Sequence, residues 1–532
     1  MKYFFLIILF FSSFTVAHSQ PNMQWSKIYN STAAQDDYFI DMKLDKDGNV
    51  YVTGYSRLST FNYDILTLKY NSSGVLQWTR TFDGRANDYD VSVGIEIDNN
   101  GFIYVAGNTM DSVGSSRAFL YLLIKYNSNG DTIWTKKYNN SIDTTDNYNF
   151  VQSFTSDKQD NIFITGMGGG HGLDSTPPGY VTIKVDSSGN KLWTRYYKSP
   201  APATDIPNII VSDKIGNIYV GGNSAAGNAV LIKYSNSGDN LWTASLGTNI
   251  GWNRIFFDNT NGVYVGGRRI LAKYSLLGNL VWNKFFASSY NSADVQMDSN
   301  FNLVTTARLI SNGSLFATVK YSSNGDSLWS KTYQPILPSY NDPYSIAIDK
   351  YGNIYVTGST DNHSFSQFFR FLTIKYSPDS TFNWAVHYNN GFEADYQAQK
   401  ILVDTSGNIY VAGSAKVFNG LDIALVKYSQ LTGITQTSSL IPQKFALHQN
   451  YPNPFNPTTK INYELPNNSF VQINIYNSIG RQITSLINKK QNSGSYTVNF
   501  NSGEYNLSSG IYYYSLLLDG GVVETKKMIL LK

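Results

Sequence analysis

A single unit recurs eight times in this 532-residue chain, and that recurrence restricts the fold more than any other feature of the sequence. Its first signature is Asp-x-x-Gly-Asn, then alternating apolar residues, then Gly. Copies run from LDKDGNVYVTG (Leu44–Gly54) and IDNNGFIYVAG (Ile97–Gly107) to IDKYGNIYVTG (Ile348–Gly358) and VDTSGNIYVAG (Val403–Gly413), with MDSNFNLVTTA (Met297–Ala307) the most eroded. A second signature trails the first: Lys-Tyr, a Gly four residues after the Tyr, and a Trp four further on, as in Lys69-Tyr70, Gly74 and Trp78. Asp ahead of a Gly-Asn pair suits a tight turn, because Gly and Asn accept positive φ and the carboxylate bonds the turn backbone. The flanking segments alternate as short strands do.

Each unit therefore holds four strands, A to D. Strand A ends at the Asp, B is the YVTG segment, C ends at Lys-Tyr, and D carries the Trp. Four strands in roughly 40–55 residues make one β-propeller blade. The eighth copy reaches Lys427-Tyr428 without a following Trp, and the matching piece, Trp25-Ser26-Lys27-Ile28-Tyr29, stands near the other end of the chain. The pattern predicts an all-β fold with an eight-bladed propeller over residues 20–430. A strand at 23–30 would complete the last blade and leave no open edge. A seven-bladed ring with one degenerate unit is the alternative. These residues resemble the bacterial β-propeller repeats called SBBP repeats over about residues 23–430; the resemblance implies an architecture and leaves activity open.

The two ends speak of export. Lys2, an apolar run over Tyr3–Val16, and small residues Ala17 and Ser19 ahead of Gln20 read as a signal peptide of residues 1–19. The run is shorter than the roughly 20 residues that span a bilayer, and no later stretch reads as a transmembrane helix. After a polar linker at 431–443, residues 444–532 hold Pro452, Pro454, Pro457 and short alternating segments, which predict a small β-sandwich. The runs NYPNPFNPTT, IYNSIGR, LSSGIYYYSL and KKMILLK resemble the type A C-terminal sorting domain of the type IX secretion system over about Ala446–Lys532. That resemblance implies a Gram-negative cell and passage through its periplasm. It also implies recognition by the outer-membrane secretion machinery, with release or attachment at the cell surface. The read-out residues it implies are Gly510, Ile511, Tyr512, Tyr513, Lys526, Lys527, Met528 and Lys532.

Other classes lose support from composition. A net charge of +3 with no basic run gives no footprint for nucleic acid. The absence of cysteine removes disulfides, thiolate metal sites and cysteine nucleophiles, and the five His are scattered. The B–C and D–A loops share one face and vary in length, which is where a regular scaffold usually binds. There the D–A loops bring Asp37-Tyr38, Asp88-Tyr89, Asp146 with Tyr148, Asp342 with Tyr344, and Asp395-Tyr396 toward the channel mouth. These are candidate groups for a cation or a sugar; the simpler reading has the carboxylates accepting loop N–H groups.

Asp45-x-Asp47 only superficially resembles a calcium loop, since the other copies lack a regular second acid; calcium is a weak expectation and no cofactor is required. Gly166–Gly172 lacks the Lys-Ser/Thr and helix of a phosphate loop. No catalytic constellation stands out. The sequence leads to a secreted or surface-displayed, non-enzymatic scaffold for an extracellular glycan or protein. The alternative is a secreted propeller enzyme: a carbohydrate-active hydrolase or lyase, or a quinoprotein. The quinoprotein reading rests on the Gly-x-x-x-Trp spacing, which resembles that family without its cysteine pair.

Overall fold

The computed structural model describes residues 20–31, 36–60, 62–84, 88–113, 116–140, 149–157, 159–168, 177–201, 203–247, 251–258, 262–267, 269–286, 290–310, 314–334, 340–361, 368–388, 395–417, 420–429, 435–438, 442–505 and 507–531. The signal-peptide segment, Asp146, Tyr148 and Lys532 lie outside them. Two compact units result, Met23–Ser429 and one whose C-terminal part begins at Gln430. Apart from a short 3-10 turn at Ser502–Tyr505, the regular structure of the described residues is all strand.

Eight four-stranded sheets make up the first unit. Blade 1 consists of Asp36–Leu44, Val50–Arg57, Tyr63–Tyr70 and Leu76–Phe82, in that spatial order. Blades 2 to 7 repeat the meander, beginning at Asp90, Phe150, Ile206, Trp252, Tyr290 and Asn341. Blade 8 combines Tyr396–Val403, Ile409–Ala415 and Asp422–Ser429 with Asn22–Tyr29 as its fourth strand. The A strands of consecutive blades are neighbours all the way round, from blade 1 through blade 8 and back to blade 1. They form the inner ring.

The repeat motif is the set of contacts that hold one blade to the next. In the A–B turn, the Asp45 carboxylate accepts the N–H groups of Asp47 and Asn49 and the Asn49 side-chain amide at 2.7 to 3.0 Å, with Gly48 at positive φ. In six D strands the indole N–H of the Trp donates to a carbonyl in the C–D turn of the following blade: Trp78 to Ser128, Trp134 to Ser187, Trp193 to Asn236, Trp242 to Leu276, Trp282 to Ser323 and Trp329 to Pro378, at 2.9 to 3.3 Å. The repeat Lys aims at the same turn. Lys69 and Lys125 donate to the carbonyls of Ser128 and Ser187, each passing over the strand-B Tyr of its own blade. Apolar side chains fill the space between, as with Tyr51, Ile65 and Trp78 of blade 1 against Ile95, Val105 and Leu122 of blade 2.

The ring closes through the same latch. Trp25 donates to the Ser72 carbonyl of blade 1 at 3.1 Å, and Lys427 donates to that same carbonyl at 2.9 Å. Trp25 also meets Tyr410 edge to face, 6.3 Å between ring centres. Its ring covers Gly74, where a Cβ would come within 2.6 Å of the indole and where φ is +78°. Gly74 is thus needed both for the turn and for the space above it.

Every A strand also carries a bulge opposite the closing residue of the B motif, with Ile40, Val93, Gln152, Asn208, Asn253, Ala293, Tyr344 and Gln399 as the extra residues. At Gly54 a side chain would run into the Tyr38 carbonyl that the bulge pushes outward. A bulge redirects the side chain that follows it. Asp41, Ser153, Asp294 and Ser345 each follow one, and each accepts a backbone N–H from the next blade, at 3.0 to 3.5 Å. Lys400 and Arg254 stand at the same position and pair with Asp41 at 3.0 Å and Asp294 at 2.7 Å. A polar belt therefore links blades at the inner ring.

The C-terminal unit is a β-sandwich of two four-stranded sheets. One orders Thr435–Ser438, Gly494–Asn501, Thr458–Leu465 and Ala446–Leu447; the other orders Gln482–Gln491, Ser469–Tyr476, Gly510–Leu518 and Gly521–Leu530. Alternation makes the core: Ile461, Tyr463 and Leu465 face Val471, Ile473, Tyr514 and Leu516.

Candidate functional site

On the loop face of the propeller the four predicted Asp-aromatic pairs among the described residues separate. Asp37 is buried, accepting the Ser31 N–H at 2.6 Å and the Ser56 hydroxyl at 2.5 Å. Burial raises its pKa, opposed by those hydrogen bonds. Its carboxylate ties the D–A loop to strand A from six residues downstream. Asp90 does the same to the Gly84 N–H at 2.6 Å, and Asp205 to the Ser199 N–H at 2.7 Å. For Asp205, burial is outweighed by hydrogen bonds from Ser199 and Ala225, which hold the carboxyl below its ordinary range. Asp90 and Asp205 were not among the sequence candidates. Their signal is register, since Asp37, Asp90 and Asp205 all stand eight residues before the turn Asp of their blades.

Asp88 offers its backbone carbonyl to the Tyr63 N–H at 2.7 Å. Asp342 pairs with Arg308 of blade 6 at 2.9 Å, beside the exposed Tyr344. Asp395 accepts the Phe369 N–H at 3.2 Å, and Tyr396 is fully buried against Phe371 and Tyr388. Of the candidates, Tyr38 and Tyr89 are drawn into one array. Tyr38 stacks on Tyr55 with centres 4.7 Å apart; Tyr55 meets Tyr63 at 5.8 Å, Tyr63 meets Tyr89 at 5.5 Å, Tyr89 meets Phe119 at 5.5 Å, and Phe119 meets Phe150 at 4.3 Å. These six rings cross the loop ends of blades 1, 2 and 3, and all are partly exposed. At one end, Arg57 pairs with Asp36 at 2.5 Å. Among the described residues, no group of three or more His, Asp or Glu is placed to hold a metal ion.

In the C-terminal unit, the Asn-Tyr-Pro-Asn-Pro-Phe run is fastened to the last two strands. The Tyr514 hydroxyl donates to the His448 carbonyl and accepts the Asn450 N–H, both at 2.8 Å. Asn453 accepts the Ile529 N–H at 2.9 Å, and the buried Phe455 bonds through its backbone to Ile529 and Leu531. These residues of the motif are thus joints between its beginning and the last two strands of the sandwich.

Comparison with known families matches this unit to the secretion system C-terminal sorting domain over residues 449–531. Residues 449–531 are a C-terminal sorting domain. The β-propeller repeat family called SBBP matches residues 337–366 and 391–421, in blades 7 and 8. No curated protein sequence matches the chain. Similar solved structures include virginiamycin B lyase from Staphylococcus aureus, with 12% identity, covering 62% of this chain and 95% of that one, at a TM-score of 0.39. The WD40 domain of SCAP from fission yeast has 9% identity, covering 76% and 98%, at a TM-score of 0.41.

The sorting domain marks the chain for secretion or cell-surface delivery through the type IX machinery. Its implied read-out residues divide by face. Tyr512 and Met528 pair across strands and lie in the core, while Ile511, 44% exposed, and Lys527 face solvent with Tyr513 partly exposed beside them. Lys526 pairs with Glu524 at 2.7 Å. Ile511, Tyr513 and Lys527 thus form an outward stripe, with Tyr512 and Met528 on the core side of the same two strands.

Proposed function

We propose that the propeller is a non-enzymatic binding or adhesion scaffold, delivered to the cell surface or beyond, that holds an extracellular glycan or protein on its loop face. The observation that carries this reading is the pairing of a sorting domain with a latched ring whose variable loops share one end. Seven Trp latches and the inner polar belt keep the frame constant while loop residues vary, which is the arrangement of a display scaffold. The reading needs no cofactor, and chelation should leave binding unchanged.

Two measurements test it. In a bacterium with the type IX apparatus, removing residues 446–532 should leave the propeller in the periplasm; normal surface delivery would refute the sorting role. Purified chain should be retained on insoluble glycan particles or mucin-coated beads while liberating neither reducing ends nor unsaturated products. Failure of retention on both surfaces would refute the scaffold, and sustained product release would make the protein an enzyme.

A further inference from the structure

We propose that the aromatic row Tyr38–Tyr55–Tyr63–Tyr89–Phe119–Phe150 is a platform for a neutral polysaccharide chain. This deepens the scaffold reading above and rests on it.

The row has three properties that together select this ligand class. First, it is continuous across three blades, with centre-to-centre steps of 4.3 to 5.8 Å, each about the size of one pyranose ring. An extended ligand of flat repeating units can follow it; a compact one would use only part. Second, the rings are fixed without being sealed. The contacts from Tyr55 to Phe119 are edge to face, a geometry that anchors each ring through its neighbour and leaves ring surface open, and all six residues remain partly exposed. Other aromatics near the loop ends are used up in packing: Tyr180 of blade 3 and Tyr396 of blade 8 are fully buried.

Third, the row is polar along its rim. The hydroxyls of Tyr55, Tyr63 and Tyr89 make no hydrogen bond to a described residue, yet none is sealed from solvent. They also cluster: burial and then the neighbouring Tyr38, Tyr89 and Tyr63 push the Tyr55 hydroxyl up to about 12. Asp36 and Arg57, paired at 2.5 Å, close one end with a carboxylate and a guanidinium. A wholly apolar partner surface would strand these hydroxyls without partners, which is costly. Pyranose rings present apolar C–H faces to aromatic rings and hydroxyls around their edges, so they satisfy both halves of the row. The pairing of Asp36 with Arg57 leaves no net charge there, which selects a neutral chain over an acidic one.

The test uses the full chain in native gels cast with hydroxyethylcellulose, laminarin or xylan. At least one of the three polymers should retard the protein. Tyr63→Ala and Tyr89→Ala should weaken binding of that polymer about tenfold or more, the loss expected when a central aromatic anchor is removed. Tyr89→Leu, which keeps apolar volume but not the flat ring, should weaken it as well and guards against misfolding of the Ala variants. Tyr351→Ala, in an A–B turn on the opposite face and 72% exposed, should change nothing. No retardation in any of the three gels overturns the glycan assignment; if retention on mucin-coated beads persists, the scaffold reading stands without it. Retardation that survives Tyr63→Ala, Tyr89→Ala and Tyr89→Leu overturns the site. Loss of retention on every surface removes the scaffold reading itself.

Discussion

Deleting Asn22–Tyr29 should open the propeller at one seam and weaken the whole ring. The strand is the outer member of blade 8, hydrogen-bonded to Asp422–Ser429. Its Trp25 is half-buried over Gly74 and donates to Ser72, Ile28 packs into the blade 7–8 core, and Tyr29 packs into the blade 8–1 core. Truncating a fully buried Trp costs about 3–5 kcal/mol, so a half-buried one costs about 2–3. Partial burial of Ile28 and Tyr29 adds about 1 kcal/mol each, and the lost strand pairing brings the total to at least about 5 kcal/mol. Trp25→Ala alone should cost about 2–3 kcal/mol. Urea melts would register both changes, and hydrogen exchange would localise them: amides of Asp422–Ser429 should lose protection in the deletion, while blade 4 remains protected longest. Trp134→Ala, whose latch joins blades 2 and 3, is the comparison at an internal joint. If the deleted chain melts with the full one and residues 422–429 keep their protection, the seam contributes nothing and the closure argument is wrong.

Further outcomes follow from single contacts. Gly54→Ala places a methyl against the Tyr38 carbonyl and should cost about 1–3 kcal/mol in a urea melt, whereas Ala307→Gly, at the same position of blade 6, should cost under about 1 kcal/mol; equal effects would deny the bulge its spatial demand. Asp64 is buried, and desolvation, followed by Asp83 and Asp90, raises its pKa to about 6. The folded state therefore binds the proton more tightly than an unfolded Asp near 3.9, and stability should fall by about 2–3 kcal/mol as pH rises from about 4 to 6. Asp64→Asn should recover much of that loss at pH 7.5, and identical pH profiles for the two proteins would contradict the argument. Tyr514→Phe removes the hydroxyl shared by His448 and Asn450 and should destabilise the sorting domain by about 1–3 kcal/mol; an unchanged melt of that domain would show the joint to be dispensable.

The repeat was readable because each of its letters answers a local demand. Asp45 must bond its turn, Gly54 must clear a carbonyl, and Trp78 must reach the next blade, so the same residues return wherever the same joint is built. The loop face obeys no such period. Choosing acids by their neighbouring aromatics singled out Asp88 and missed Asp90, because the property that matters is the reach of a carboxylate back to Gly84, six residues upstream. Tyr396 had the right neighbour and the wrong environment, buried by Phe371 and Tyr388. The aromatic row was invisible for another reason. Tyr55, Tyr63, Phe119 and Phe150 belong to different strands of three blades, and only the ring geometry sets them side by side. In the sorting domain the strand pattern was legible, while the docking of Asn450, Asn453 and Phe455 onto the terminal strands depends on a tertiary contact that alternation does not encode.

The seam also imposes a chronology on synthesis. Asn22–Tyr29 is made some four hundred residues before its partner Asp422–Ser429, so it waits unpaired through nearly the entire propeller. Contacts between such distant segments form late and slowly, and until they form, the eighth blade presents a bare edge to other chains. The sorting domain, residues 449–531, is translated after both halves of the seam. By the time the delivery address exists, the ring already possesses every strand it needs to shut.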